Sequence, residues 1–304
     1  MSSDLVVITS YFNPHRFKKR YENYLLCRDQ VRNAGIHLIT VEAAFGSDPY
    51  ELNGGDILQF RGKDLMWVKE RLLAEGIEYV LKKTTYTNIA WIDADTIFSE
   101  SNWADKTQEK LQHYKVVQCF NHCVQAYSDT TQERGCAIEC AIRGIPITNG
   151  APGGAFAARR EFLDKVNIYQ YAITGGGDTL YVLALCKEVP DRYDDLYRLL
   201  HEEVGYVAKW AFPMIAHWYN WAKYAQLHIK PYEVGFVNQE VTFLPHGKQV
   251  NRRGTIRTTE MLHFDPYKDI RLNEDSRMFE WASSKVDFHK LVKNYFWQRN
   301  DDDL

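Results

Sequence analysis

The chain alternates short apolar runs with longer stretches of helical spacing. Leu5-Val6-Val7-Ile8-Thr9 is a β-branched run that breaks into Ser10-Tyr11-Phe12-Asn13-Pro14, the pattern of a buried strand followed by a turn. Arg16 to Asn33 is polar and helix-permissive. Ile36 to Val41, opened by the breaker Gly35, and Ile57 to Arg61 read as the second and third strands. From Asp64 to Leu81 the apolar residues Leu65, Val68, Leu72 and Ile77 recur at helical spacing, with Asp64 placed to cap the start. Asn88 to Asp95 is a fourth strand, Trp103 to Tyr114 a helix, and Val116 to Phe120 a fifth strand.

Beyond that point the period weakens. Asn121 to Pro152 is polar, cysteine-containing and aperiodic, which predicts an inserted loop over 121–152. Gly153 to Arg160 is strand-like, with a helix following from Arg160, and Gly175-Gly176-Gly177-Asp178 opens a helix running through Leu185. Asp191 to Trp221 reads as helix, Gly235 to Leu244 as strand and Met278 to Phe296 as a closing helix. The acids 301–303 form a tail expected to fray. No repeat or low-complexity linker divides the chain, so a single domain over 1–304 is expected, with a helical segment from 278 onward.

Strands alternating with helices predict βαβ units and a mostly parallel α/β sheet flanked by helices. Strands apolar on both faces suit such a sheet. Ligands then bind beyond the carboxyl ends of the strands. That directs attention to Ser10-Tyr11, Glu42, Gly62-Lys63-Asp64 and Asp93-Ala94-Asp95.

Composition narrows the classes. The 304 residues are 45% hydrophobic and 14% aromatic, enough for one large core or two small ones. The net charge of -3 excludes the global basic field of a simple nucleic-acid module, though not a local basic cleft. No charged n-region leads into an apolar run, and no stretch approaches the ~20 apolar residues of a membrane span. A soluble cytoplasmic protein with no membrane partner is therefore expected, its six cysteines mainly thiols.

Asp93-Ala94-Asp95 closes the apolar run Asn88-Ile89-Ala90-Trp91-Ile92. Residues two apart on a strand point to one side, so the two carboxylates can converge. Held close, they repel unless a cation or proton neutralises them. A hard divalent ion, Mn²⁺ or Mg²⁺, is the natural partner, and such an ion can hold a departing diphosphate. The plainer alternative leaves Asp95 as a turn cap and Asp93 solvated. Cys119, Cys123, Cys136 and Cys140 form two spaced pairs. Four thiolates can hold a structural zinc, but free buried thiols are the reading preferred.

Several segments occur in a telling order. They are Thr9-Ser10-Tyr11-Phe12-Asn13-Pro14, Leu38 to Gly46, Met66-Trp67-Val68-Lys69-Glu70-Arg71-Leu72-Leu73, Trp91-Ile92-Asp93-Ala94-Asp95, Gly153 to Arg160, Gly175-Gly176-Gly177-Asp178 and His246-Gly247. Together they cover most of the chain and resemble a GT-A type glycosyltransferase, a Rossmann-like nucleotide-diphospho-sugar transferase fold. The group resembled contains the kinetoplastid base J glucosyltransferase and its phage and bacterial relatives. The resemblance implies a divalent metal and a nucleotide-sugar donor, UDP-glucose foremost. As acceptor it implies the hydroxymethyl group of a modified pyrimidine in DNA, and a phage-encoded member would act in the host cytoplasm.

The resemblance also distributes roles. Asp95 is the first metal ligand, His246 a late-arriving one, and Asp93 either a ligand or a contact to the ribose. Thr9, Ser10 and Tyr11 lie where the nucleotide base is held, with Tyr11 able to stack on it or simply to pack the rim of the core. Lys69 can meet a phosphate as a point charge, while Trp67 is read as core. Gly153, Gly154 and Gly177 would let the backbone approach the sugar. Asp178, at a helix start, is the proposed general base, with plain N-capping as its competitor. Arg252, Arg253 and Arg257 could bind diphosphate or a DNA backbone, or form a solvated run. A polysaccharide, protein or small-molecule acceptor stands as the alternative. A non-catalytic nucleotide-sugar module and a metal-dependent phosphohydrolase are the other classes open.

Overall fold

Eight consecutive buried residues, Leu5–Phe12, form β1, a strand covered on both faces. The computed structural model describes residues 4–204, 212–252 and 263–303. After β1 come α1 (Lys18–Asn33), β2 (His37–Phe45), β3 (Ile57–Gly62), α2 (Lys69–Lys83) and β4 (Asn88–Ile92). Next are β5 (Thr96–Phe98), α3 (Trp103–Leu111), β6 (Val116–Gln118), β7 (His122–Ala126), β8 (Thr131–Gly135) and α4 (Ala137–Ile142). Then follow β9 (Ala155–Arg159), α5 (Arg160–Leu163), α6 (Gly177–Cys186), α7 (Tyr193–Val204) and α8 (Phe212–His228). The chain closes with β10 (Val234–Phe236), β11 (Glu240–Phe243), β12 (Ile270–Leu272), β13 (Phe279–Trp281) and α9 (Val286–Gln298).

Among the described residues the main sheet has seven strands in the order β10-β6-β9-β4-β1-β2-β3. Its β1–β2, β2–β3, β1–β4 and β6–β10 pairs are parallel, and β9 alone of its strands runs antiparallel, between β4 and β6. The expected α/β architecture, a mostly parallel sheet flanked by helices, is the one observed. The reversed β9 is locked by a cross-strand pair. Trp91 on β4 faces Phe156 on β9 and stacks on it at 5.7 Å, worth about 0.5–1.5 kcal/mol beyond area burial. The lock matters because the residues just before β9 abut the turn that follows β4.

Several expectations need correction. The segment 121–152 is not an aperiodic loop: it carries the β7–β8 hairpin, which joins β5 and β11 in a four-stranded second sheet, and then α4. Its strands are polar because only one face is covered, which hides the alternation. Helix α2 starts at Lys69, not Asp64, and Asp64 Oδ2 instead accepts the backbone N–H of Trp281 at 2.9 Å. The closing helix begins at Val286, since Phe279–Trp281 pairs with β12. The acid tail is not frayed: Asp301 is 1% exposed. No helix among the described residues is long and apolar enough to cross a membrane.

Candidate active site

The parallel register of β1 and β4 sets Thr9 opposite Ile92, which brings Ser10 alongside Asp93 at the carboxyl edge. Here the chain leaves the sheet. Strand β4 ends at Ile92, and Asp93-Ala94-Asp95 form a turn closed by Thr96 N–H donating to the Asp93 carbonyl at 3.0 Å. The turn is fixed from a second side, because Asp93 N–H donates to the Gly154 carbonyl at 2.7 Å. The two acids therefore do not obey strand alternation. Both line one cleft, but they face different partners.

Asp95 meets His246. Strand β11 runs antiparallel to β5 with Phe243 opposite Thr96, so Leu244 N–H reaches the Asp95 carbonyl at 2.8 Å. The chain then continues along the turn, and Asn23 of α1 donates to the Pro245 carbonyl at 3.1 Å. His246 Nε2 consequently lies 2.8 Å from Asp95 Oδ2, across 151 residues of sequence. Burial raises the Asp95 carboxyl, but the His246 hydrogen bond and charge, with Arg252 and Arg20, outweigh it and hold it at about 2. The carboxylate is thus ionised and faces nitrogen and guanidinium groups. Arg252 Nη2 lies 2.8 Å from the same His246 Nε2.

Asp93 belongs to a separate cluster. Lys69 Nζ, at the first turn of α2, donates to Asp93 Oδ1 at 3.2 Å and to Asp178 Oδ2 at 2.5 Å, and stands 4.0 Å from Glu70 Oε1. One buried ammonium thus serves three carboxyl groups. Burial depresses the Lys69 ammonium, but Asp178, Asp93 and Glu70 more than restore it, and it stays charged well above the ordinary lysine range. Burial pushes Glu70 up to about 8, against the pull of Lys69. Burial pushes Asp93 up to about 7, again opposed by Lys69. Asp178 lies in the first turn of α6 behind Gly176, whose φ of 94° sits in the left-handed region and makes the sharp entry.

The predicted residues divide accordingly. Ser10, Tyr11, Lys69, Asp93, Asp95, Asp178, His246 and Arg252 line one cleft. Thr9 does not: it is fully buried and its hydroxyl donates to the Ile92 carbonyl at 2.9 Å. Tyr11 packs against the tilted ring of Tyr24 at 5.0 Å and donates its hydroxyl to Glu51 at 2.6 Å. Its ring is part of the wall, not a free platform. Gly153, Gly154 and Gly177 also fall outside the lining; their bareness serves protein groups. A Cβ on Gly153 would sit 2.6 Å from Asp178 Oδ2, one on Gly154 2.2 Å from the Phe243 ring, and one on Gly177 2.5 Å from Glu70 Oε1. Arg253 and Arg257 lie outside the described residues. Arg252 is no surface charge but packs over Tyr127 at 5.3 Å and against His246.

Sequence reasoning missed Arg20, Asn23, Glu70, Gly175, Gly176 and Arg299 as cleft-lining residues. Glu70 had a signal in its adjacency to Lys69; Arg20 and Arg299 had none. Three lining residues carry a buried polar atom without a hydrogen-bond partner: Trp67 Nε1, Glu70 Oε1 and Arg252 Nε. Two donors and one acceptor of this kind suit a polar ligand with both anionic and hydroxyl groups. Trp67, read as core, thus also faces the cleft.

Among the described residues no group of three or more His, Cys, Asp or Glu side chains is placed to hold a metal ion. The expected trio Asp93, Asp95 and His246 is therefore not assembled as one ligand set, because Asp93 turns to Lys69. Asp95 and His246 alone form a pair of convergent donors. That count fits a small hard cation, which keeps several waters and takes its remaining oxygens from substrate phosphates. The cysteines do not gather either. Burial pushes the thiols of Cys119 and Cys136 far up and that of Cys123 up to about 11, favouring neutral thiols over the thiolates zinc needs.

No family model matches the chain, and no curated protein does. Among solved structures, glucosyl-3-phosphoglycerate synthase from Mycobacterium tuberculosis, in complex with Mn²⁺, UDP and phosphoglyceric acid, is similar at 12% identity. The TM-score is 0.43, over 85% of this chain and 75% of that one. The same synthase with Mn²⁺, UDP and glucosyl-3-phosphoglycerate gives 12% identity and a TM-score of 0.45, over 85% and 77%. The catalytic domain of Drosophila β1,4-galactosyltransferase 7, in complex with xylobiose, gives 13% identity and a TM-score of 0.32, over 60% of each chain.

Proposed function

We propose that this chain is a GT-A type glycosyltransferase that moves a sugar, glucose from UDP-glucose, from a nucleotide diphosphate to a hydroxyl acceptor. What carries this reading is the meeting of Asp95 and His246 at 2.8 Å beyond the carboxyl edge of a parallel sheet. Asp95 and His246 would hold Mn²⁺ or Mg²⁺. When bound, such an ion supplies positive charge to a departing diphosphate. Arg252 supplies a guanidinium beside it for phosphate oxygens. Asp93, on the opposite side of the turn, would take a hydroxyl of the ribose or the sugar.

Asp178 is the proposed base. The acceptor oxygen attacks the anomeric carbon as its proton passes to the Asp178 carboxylate. The bond from the anomeric carbon to the diphosphate oxygen breaks, and the nucleoside diphosphate leaves with the electron pair. Lys69, 2.5 Å from Asp178 Oδ2, fixes the carboxylate and screens it from Asp93. A displacement of this kind inverts the anomeric centre, which proton NMR of the product reads directly.

For the acceptor we propose the hydroxymethyl group of a modified pyrimidine in DNA, supported by the ordered motifs that resemble the base J group. Such a base would need to leave the stack to reach the cleft. The test is incubation with UDP-glucose, Mn²⁺ and DNA containing 5-hydroxymethyluracil or 5-hydroxymethylcytosine. Glucose bound to DNA is the expected result. Release of UDP without transfer to either DNA would sink the DNA acceptor and leave a polysaccharide, protein or small molecule. No UDP release from any nucleotide sugar would overturn the glycosyltransferase reading.

A further inference from the structure

The segment from Arg299 to Asp303 is held in place by each of its three acids, and Asp301 ties it to the candidate site. Asp301 is 1% exposed, and its Oδ1 lies 3.0 Å from His246 Nδ1. The same carboxylate receives Arg299 Nε at 3.3 Å and Arg20 Nε. Asp302 accepts the backbone N–H groups of Lys18 and Lys19 at 3.0 and 2.7 Å, capping the start of α1. Asp303 accepts Lys248 Nζ at 2.8 Å and Asn251 Nδ2 at 3.3 Å. Gly247 has a φ of 74°, and a Cβ there would sit 2.9 Å from the Asn300 carbonyl oxygen. The loop after β11 and this segment are therefore packed backbone to backbone around one imidazole.

Each nitrogen of that ring faces one carboxylate and one guanidinium. Nε2 stands 2.8 Å from both Arg252 Nη2, a donor only, and Asp95 Oδ2, an acceptor, so the ring can offer either a lone pair or a proton on that side. Arg299 Nη2 approaches Nδ1 at 3.2 Å, but Asp301 is nearer and is the acceptor of the two. A proton on Nδ1, donated to Asp301, is the tautomer that frees the Nε2 lone pair for a cation held beside Asp95. Metal-bound histidines generally have their second nitrogen held by a carboxylate or carbonyl in this way, which fixes tautomer and ring orientation.

Resting on the reading of Asp95 and His246 as cation ligands, we propose that Asp301 is the positioning residue for His246. It accepts the Nδ1 proton, holds the ring plane and directs Nε2 at the cation beside Asp95. Asp302 and Asp303 hold the segment that delivers it. A purely structural Asp301 would only balance Arg20 and Arg299, and would have no bearing on what Nε2 binds.

The experiment is Mn²⁺ alone titrated into the full chain, followed by electron paramagnetic resonance with detection of nitrogen coupling, and by thermal unfolding as a check on folding. In the unaltered chain Mn²⁺ binds and shows a nitrogen coupling that His246→Ala abolishes. In Asp301→Ala the affinity falls about 10- to 100-fold and the coupling is lost. Asp301→Asn fills the same space and keeps an oxygen for Nδ1–H; it retains the coupling and loses a smaller factor. It also carries the test should Asp301→Ala fail to fold. Unaltered affinity and coupling in either folded variant would overturn the positioning role while leaving the cation site intact. If the unaltered chain shows no coupling removable by His246→Ala, the cation-site reading itself fails, and the role of Asp301 with it.

Discussion

Gly153 and Asp178 share one space: a Cβ built on the glycine would fall 2.6 Å from Asp178 Oδ2 and 3.1 Å from its Cγ. The glycine was expected to admit a sugar, and instead it admits the proposed base. Gly153→Ala pushes that carboxylate out of its pairing with Lys69. A displacement of this order costs about 100-fold in rate. Steady-state UDP release should show the loss in kcat, while calorimetric affinity for UDP stays unchanged. Equal loss of UDP affinity would place Gly153 in nucleotide binding instead.

Gly154 tests the frame and not the chemistry. Its φ is 101°, and a Cβ would meet the Phe243 ring at 2.2 Å. The neighbour is a ring 7% exposed, so it cannot simply swing away. Gly154→Ala combines left-handed strain with overpacking, each about 1–3 kcal/mol. Urea denaturation should show a loss of unfolding free energy of that combined size. A loss under about 1 kcal/mol would mean that the β4–β9 corner relaxes freely.

Lys69 is the ammonium against which Asp93, Asp178 and Glu70 are all set. Lys69→Met keeps the length of the side chain and removes the charge. Breaking a buried pair of this kind costs about 3–5 kcal/mol, because carboxylates remain uncompensated. Equilibrium unfolding at neutral pH measures it. Part of the loss should return at low pH, where the acids take up protons.

Glu70 gives the pH dependence. Its folded-state carboxyl is pushed up to about 8 by burial, from an ordinary 4.5. Below the ordinary value it is protonated whether the chain is folded or not, and it has no effect. Between 4.5 and 8 the unfolded chain alone releases the proton, so stability falls as pH rises through that window. Glu70→Gln removes this contribution. Melting temperatures from pH 5 to 8 should therefore fall less steeply for the variant. Parallel profiles would mean that Glu70 is already ionised in the folded protein.

Much of the sheet was legible along the chain. The β-branched run of β1 and the apolar run ending at Ile92 are too continuous for anything but strands covered on both faces. The first strand of the second sheet's hairpin, β7, was not. Its residues His122–Ala126 are largely half-buried, and a strand with one covered face and polar side chains offers no continuous apolar signal. The start of α2 was misplaced because Asp64 has the chemistry of a cap, and only the β12–β13 hairpin claims it, through Trp281. The acid tail looked frayed because three adjacent aspartates normally repel and solvate. Arg20 and Arg299 neutralise Asp301, Lys248 neutralises Asp303, and Asp302 is held by the backbone N–H groups at the start of α1.

By itself the sequence determined which residue types stand at the carboxyl edge: Ser10, Lys69, Asp93, Asp95 and Asp178. Local patterning suffices for that, since strand ends and helix starts are short-range events. Tertiary structure alone decided which of them act together. Asp93 and Asp95 are two residues apart, yet they serve different partners, because the chain turns between them and the sheet's alternation stops at Ile92. Asp95 and His246 are far apart in sequence and come into contact, because an antiparallel register between β5 and β11 carries one chain segment past the other. Separation along the chain sets no limit on such meetings. They are fixed by strand pairing and packing, to which spacing in the sequence is blind.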